Sequence, residues 1–243
     1  MPGKRIRLGI LTPSSNTALE PITAAMLSEL PHVSAHFARF TVTEIALSDQ
    51  ALGQFDVSRI LAAARQLADA RVDVIGWSGT SAGWLGFERD EALCRRITKT
   101  TGIPATTSVL ALNEIFAKTG VRRFGLVSPY TDDVQQRIVR NYEKLGIECV
   151  AERHLGLQDN FSFAEVSETQ LSIMMREAAF ARPDAVTTFC TNLHAAPLVR
   201  AFETATDIPA YDTTATVVWK ALRMMGVDTE ILARWGRLFT EAH

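Results

Sequence analysis

The chain is short of cysteine, of long apolar runs and of any excess of charge, and each shortage closes off a class of function. Its three cysteines, Cys94, Cys149 and Cys190, are odd in number and lack C-x-x-C spacing. Neither a disulfide framework nor a zinc cluster is therefore expected. No apolar stretch approaches the roughly 18 residues of a membrane span. Near the start, Lys4, Arg5 and Arg7 precede only Leu8-Gly9-Ile10-Leu11 before Thr12-Pro13, too little for the apolar core of a secretory leader. Lys and Arg number 25 against 27 Asp and Glu, a formal net charge of −2, with no basic stripe for a nucleic acid. His32, His36 and His154 are scattered rather than set at metal-ligand spacing, and G-x-G-x-x-G, a Walker A lysine and H-E-x-x-H are all missing. The expectation is a soluble cytoplasmic protein with reduced thiols and no nucleotide, flavin or metal cofactor. Nucleic-acid and membrane partners are not expected, and a homo-oligomer is left open.

What is present is globular composition, 47% hydrophobic and 21% charged over 243 residues, enough to bury a core in one or two domains. The chain also repeats itself. Arg7-Leu8-Gly9-Ile10-Leu11-Thr12-Pro13-Ser14 parallels Arg123-Phe124-Gly125-Leu126-Val127-Ser128-Pro129-Tyr130. Val72-Asp73-Val74-Ile75-Gly76-Trp77-Ser78-Gly79-Thr80-Ser81 parallels Pro183-Asp184-Ala185-Val186-Thr187-Thr188-Phe189-Cys190-Thr191-Asn192, and Ile103-Pro104-Ala105-Thr106 parallels Ile208-Pro209-Ala210-Tyr211. Three matches in one order at similar offsets point to two copies of one unit.

Between the apolar runs, helical spacing is read over Ser58 to Ala70, Asp132 to Leu145 and Thr169 to Ala181. Strands alternating with helices imply an α/β protein with parallel sheets covered on both faces. The expected fold is two similar doubly wound domains related by a pseudo-twofold, with the active site in the cleft between them. Residues 1–115 would form the first domain and 116–213 the second. A terminal helix near Thr214 to Met225, within 214–243, would return to the first domain, a placement that rests on the family resemblance given below.

Ligands of doubly wound sheets sit outside the carboxyl ends of the strands. Four such ends are candidates: Pro13-Ser14-Ser15-Asn16, Gly79-Thr80-Ser81, Pro129-Tyr130-Thr131 and Cys190-Thr191-Asn192. They offer the hydroxyls of Ser14, Ser15, Thr80, Ser81, Tyr130 and Thr191, the amides of Asn16 and Asn192, and N–H groups at helix starts. Oriented donors of this kind hold a small carboxylate without a cation. The same residue types also serve as turn and cap residues. Cys190 is the thiol among them. Placed at a strand end before an expected helix N-terminus it could be shifted toward thiolate, or it could be a buried core cysteine.

These loops resemble those of the aspartate/glutamate racemase superfamily, in its maleate isomerase and arylmalonate decarboxylase branch. The resemblance covers most of the chain and rests on Thr12-Pro13 to Asn16, Gly79-Thr80-Ser81, Pro129-Tyr130 and Cys190-Thr191-Asn192. Racemases and maleate isomerases of the superfamily carry one cysteine per half. Here the second is Cys190, and the matching first-half position is Gly79. A two-base racemase needs a group on each face of the α-carbon, so the resemblance favours the decarboxylases, which keep Gly-Thr-Ser and a lone second-half cysteine. It implies cofactor-free decarboxylation of a substituted malonate. One carboxylate would be held by Thr80, Ser81, Tyr130, Thr191, Asn192, Ser14 and Asn16, with Pro13 and Gly79 shaping the pocket and Cys190 protonating the enediolate. The partner is then a small dicarboxylate. Thr191-Asn192-Leu193-His194 departs from the glycine pair of the decarboxylases, and Asn16 and Asp159-Asn160 resemble the isomerases. In a maleate cis-trans isomerase, or a related isomerase or racemase, Cys190 would instead be a nucleophile or base.

Two other classes compete. Gly79-Thr80-Ser81-Ala82-Gly83 fits the G-x-S-x-G elbow of a serine hydrolase, with His194 or His243 completing a triad. A two-lobed carboxylate-binding protein would use the same loops without needing Cys190. His194 could tune Cys190 or lie on a helix surface. Trp77, Trp84, Phe87 and Phe189 could wall the pocket or fill the core.

Overall fold

A computed structural model describes residues 5–242. Its first half runs β1 (Ile6–Pro13), α1 (Leu19–Leu27), β2 (Val33–Phe40), α2 (Asp49–Gly53), α3 (Val57–Asp69), β3 (Val74–Trp77), α4 (Ala82–Leu85), α5 (Phe87–Thr101), β4 (Ala105–Thr107) and α6 (Ser108–Thr119). The second continues with β5 (Arg123–Val127), α7 (Asp132–Glu143), β6 (Glu148–Arg153), α8 (Glu168–Ala179), β7 (Ala185–Thr188), α9 (Val199–Thr206) and β8 (Ala210–Asp212). Then come α10 (Thr213–Met224) and α11 (Leu238–Glu241). The helices expected from periodicity are present, with ends displaced by one or two residues.

Two four-stranded parallel sheets form, ordered β2-β1-β3-β4 and β6-β5-β7-β8. In each, the strand order reverses beside the first strand, between β1 and β3 and between β5 and β7. That switch point leaves a crevice at the carboxyl ends, where a ligand fits. Small polar bonds repeat along with the strands. Asp73 Oδ2 accepts from Arg7 N at 2.8 Å, and Asp184 Oδ2 accepts from Arg123 N at 2.8 Å. Thr101 and Thr206 each donate to the carbonyl four residues back and accept from the N–H two residues on.

The central strands are buried along their length, β3 and β7 at every residue. Helix α10 is buried from Thr213 to Trp219 despite its β-branched content. Intrinsic propensity disfavours Thr and Val in a helix, so burial holds this one in place. It packs on α6 and β3 and also touches α1 and β8. Val217 approaches β3 at Gly76, where a Cβ would lie 2.7 Å from Val217 Cγ2. Only a residue without a side chain permits that approach. Among the described residues, no helix is long and apolar enough to cross a membrane.

One carboxylate lies on the wrong side of this burial. Asp90, in α5, is 2% exposed, its Oδ2 has no partner, and burial pushes it up to about 7 against a hydrogen bond from Thr107. A group whose folded pKa exceeds its unfolded value binds more protons when folded, so stability falls as pH rises between the two. Asp90 therefore costs nothing near pH 4 and its full penalty above about pH 7. Asp90→Asn is expected to stabilise the protein at pH 8 by roughly 1–3 kcal/mol. The gain should vanish at pH 4, as paired thermal melts at the two pH values would show.

Candidate active site

The four expected loops meet between the carboxyl ends of the two sheets. Pro13, Gly79, Thr80, Ser81, Tyr130, Cys190 and Thr191 line one cavity there. Three of the loops lead into helices: residues 14–18 into α1, Gly79–Ser81 into α4 and Pro129–Thr131 into α7. The loop after β7 does not. Turns follow Cys190 and α9 begins only at Val199, which corrects the expected helix start after the thiol. The helix N-terminus beside Cys190 belongs instead to α10, whose Thr214 hydroxyl donates to the Thr191 carbonyl at 3.4 Å.

A chain of hydrogen bonds crosses the cleft. The Thr80 and Tyr130 hydroxyls lie 2.6 Å apart, and the Tyr130 hydroxyl in turn interacts with the Cys190 thiol. Asn192 N donates to Cys190 Sγ at 3.4 Å. Burial pushes the Cys190 thiol up to about 12, although the Tyr130 hydroxyl and the Asn192 N–H oppose the rise. The Asp212 carboxylate adds to it. Desolvation therefore keeps the proton on sulfur at neutral pH. Burial also raises the Tyr130 phenol well above its ordinary value. The Ser81 hydroxyl makes no capping bond and faces the same space. Cys94 and Cys149 lie elsewhere and are half-buried.

Three expected donors are engaged elsewhere. Asn16 Oδ1 caps α1 by accepting from Ala18 N at 3.0 Å and Leu19 N at 2.9 Å. Asn192 Oδ1 accepts from Thr17 N at 2.9 Å and Ala18 N at 3.2 Å, while its Nδ2 donates to the Asn160 carbonyl. The Ser14 hydroxyl exchanges hydrogen bonds with the Val42 backbone. None of the three lines the cavity. Both amides instead tie the halves together, since Asn16 Nδ2 also reaches Thr191 Oγ1 at 3.4 Å. The Thr191 hydroxyl donates to the Ser78 carbonyl at 3.1 Å.

The apolar side of the cavity comes from Trp77, Trp84, Val42, Ile45 and Phe55. Of the four aromatics considered from sequence, Trp77 and Trp84 wall the cavity. Phe87 and Phe189 pack on Tyr142 instead, at centroid distances of 5.0 and 6.1 Å. Val42, Ile45 and Phe55 were not foreseen. They follow β2, an edge strand whose carboxyl end opens on the same crevice, and that position was their available signal.

The segment carrying them covers the site. Ile45 N donates to the Gln158 carbonyl and Asn160 N to the Thr43 carbonyl, both at 2.8 Å, closing a bridge from one half to the other. Asn160 Nδ2 donates to Ser15 Oγ at 2.7 Å, and Ser15 Oγ to the Val42 carbonyl at 2.7 Å. The cavity volume is about 20 Å³, room for one water. A diacid is larger, so the cavity must widen to admit one, and the segment over it is the part expected to give way. A groove of about 620 Å³ lies on the outer side of Trp84, between α5 and α7. No cysteine, serine or threonine lines that groove, whereas Thr80, Ser81, Tyr130, Cys190 and Thr191 all line the smaller cavity.

Gln54 organises the cover from within. Its Oε1 accepts from Thr43 N at 2.6 Å, and its Nε2 donates to the carbonyls of Glu44 and Ala51. Gln54→Ala strands these groups, at roughly 1–3 kcal/mol. The cover should open more often, and iodoacetamide should label Cys190 about tenfold faster by peptide mapping. An unchanged rate would mean that the cover does not control access.

No histidine lines the cavity, and His194 sits half-buried in the turn after Cys190. His243 lies outside the described residues. Ser81 thus lacks a hydrolase base among the described residues. No group of three or more His, Cys, Asp or Glu that could hold a metal ion occurs among them either.

Known proteins are similar to this one over nearly the whole chain. A family model described as arylmalonate decarboxylase matches residues 9–239. The maleate isomerase of Geobacillus stearothermophilus is 23% identical over 239 residues, covering 94% of this chain and 95% of that one. The arylmalonate decarboxylase of Bordetella bronchiseptica is 24% identical over 238 residues, 97% of each. In structure, a maleate isomerase of Pseudomonas putida S16 with maleate superposes at a TM-score of 0.89 with 23% identity, covering 98% of both chains.

Proposed function

The chain belongs to the arylmalonate decarboxylase family, in the branch of the aspartate/glutamate racemase superfamily that also holds maleate isomerases, and from there we propose that it decarboxylates a substituted malonate without a cofactor. The observation that carries this reading is the asymmetry across the cleft. Cys190 faces the site from the second half, and the matching place in the first is Gly79. A Cβ there would fall 2.1 Å from Trp77 Cζ2, so a second thiol at that place would have to displace the indole, and position 79 supplies no acid or base. One proton donor on one face suits a reaction that returns a single proton.

In this reading the Thr80, Ser81 and Tyr130 hydroxyls hold one carboxylate. The second carboxylate lies against Val42, Ile45, Phe55, Trp77 and Trp84, where nothing replaces its lost water. Its Cα–carboxyl bond breaks, carbon dioxide leaves, and the bonding pair passes into an enediolate on the retained carboxylate. Each well-placed donor to that charge contributes about 2.7–4 kcal/mol. The Cys190 S–H then gives its proton to Cα, and the thiolate regains one from solvent. A thiol that burial keeps protonated suits this role.

The isomerase reading is supported by the full-length likeness to a maleate isomerase. There Cys190 would add to the double bond of a cis-enedioate as thiolate, and elimination after rotation would release the trans isomer. A proton NMR time course in D₂O, with maleate and an aryl-methylmalonate supplied together, separates the two. Deuterated monoacid of one hand supports the decarboxylase. Fumarate in its place overturns it in favour of the isomerase. Survival of both diacids also counts against the proposal and favours a binding protein.

A further inference from the structure

The reaction proposed above makes no use of Asp212, a buried carboxylate beside the thiol. Asp212 ends β8 and is 1% exposed. Its Oδ2 accepts from Thr188 Oγ1 at 2.7 Å, across the β7–β8 pairing and two residues before Cys190. Its Oδ1 accepts from Thr214 N at 2.9 Å and Ala215 N at 3.2 Å, capping α10. The next two residues finish the brace. Thr213 Oγ1 donates to the Thr188 carbonyl at 3.0 Å, and Thr214 Oγ1 donates to the Thr191 carbonyl. The turn bearing Cys190 is thus tied on both flanks to three consecutive residues at one helix start.

The duplication supplies a built-in comparison. Thr188 pairs with Asp212 as Trp77 pairs with Thr107, so Thr107 holds the matching place in the first half. Thr107 caps α6 through its hydroxyl, which accepts from Leu110 N at 3.0 Å. Either residue type caps a helix adequately. The half with the thiol has a carboxylate there, and the half without it has a neutral hydroxyl. Capping alone does not account for that difference. The N-terminus of a 12-residue helix favours a nearby thiolate, and a carboxylate at its cap reverses the sign of the local field.

We propose that Asp212 is a positioning residue for Cys190, bracing the thiol-bearing turn and adding a negative charge on its flank that reinforces the hold of burial on the thiol proton. The proposal rests on the decarboxylase reading for its purpose, since an acid on carbon needs that proton whereas a nucleophile does not. Three donors hold the carboxylate, and burial lifts it only to about 6, so the charge is in place at neutral pH. The groups around the pair are few. Tyr130 reaches Cys190 from the β5 loop, and His194 lies in the turn beyond it. Tyr211 of β8 has Glu203, Glu241 and Arg237 around it, and Lys220 of α10 is paired with Glu114 of α6.

The test is the pH profile of Cys190 alkylation by iodoacetamide, read by peptide mapping so that Cys94 and Cys149 do not contribute. Asp212→Asn, folded by circular dichroism, should shift the Cys190 midpoint down by about one pH unit, whereas Asp212→Glu should stay near wild type. Asp212→Ser, a good neutral cap, replaces Asp212→Asn if the latter fails to fold. On an aryl-methylmalonate, the neutral variants should lose kcat with KM within about twofold of wild type. A neutral variant whose midpoint coincides with wild type overturns the proposal, as does an Asp212→Glu shift equal to that of Asp212→Asn. Alkylation needs no substrate, so a wild type inert toward malonates sinks the decarboxylase reading while the midpoint still decides the role of Asp212.

Discussion

Cys190→Ala is expected to lower kcat for an aryl-methylmalonate by about 10³-fold, within the range by which a positioned general acid accelerates a step. Thr80, Ser81 and Tyr130 remain in the variant, so substrate should still bind with little change in KM. Bond cleavage also remains possible, because the enediolate keeps its donors. What disappears is the proton delivered from one side. The slow product should therefore be racemic, since water reaches the enediolate from either face once the thiol is gone. Chiral chromatography of the residual product checks this. A variant that stays slow but delivers one hand would place the proton donor elsewhere, and one of wild-type rate would remove Cys190 from the reaction. The fold should tolerate the change, because alanine leaves only a small void at a position 3% exposed.

The second large effect concerns Gly79. A methyl group there would lie 2.1, 2.5 and 2.6 Å from three atoms of the Trp77 indole. Trp77 is 1% exposed, packed on Phe40 at a centroid distance of 4.9 Å, and can yield only into the small cavity it walls. Gly79→Ala is expected to cost about 3 kcal/mol, the upper part of the usual range for overpacking. For a chain of this size that lowers Tm by roughly 6–12 °C. Removing the indole by Trp77→Leu has its own cost of similar order. The two should not add: in the double variant the methyl occupies space the ring has vacated, and the sum should fall short by more than 1 kcal/mol. Strict additivity in thermal melts would mean that Trp77 does not guard this position.

The same contact shows what a sequence can and cannot reveal. Gly79 opposite Cys190 was legible from the repeat alone, because the two segments align residue by residue. The reason for the glycine was not, since nothing in the string says that a tryptophan two residues earlier folds back over it. The buried strands were legible as apolar runs. The edge strands β2 and β6 were not, because their half-exposed residues mix polar and apolar types, and the cover carrying Val42, Ile45 and Phe55 went unseen with β2. Asn16 and Asn192 mark a further limit. An asparagine in a loop satisfies a backbone N–H or a ligand equally well, and only the folded position of residues 17–19 decides that both side chains accept from the start of α1. The break after Cys190 was hidden for a similar reason. Thr191-Asn192-Leu193 resembles a helix start, yet the helix whose N-terminus braces the thiol-bearing turn is encoded more than twenty residues later.

Helix α10 also bears on how the protein is made. It is encoded after both sheets, yet Val217 seats against Gly76 in the first of them. While the ribosome is still translating the second half, the first sheet has emerged with the face meant for α10 exposed to solvent. Exposed apolar faces of this kind invite aggregation or chaperone capture. Nascent chains stalled before Thr213 should therefore stay protease-sensitive in both halves, and release of the next dozen residues should protect the two together.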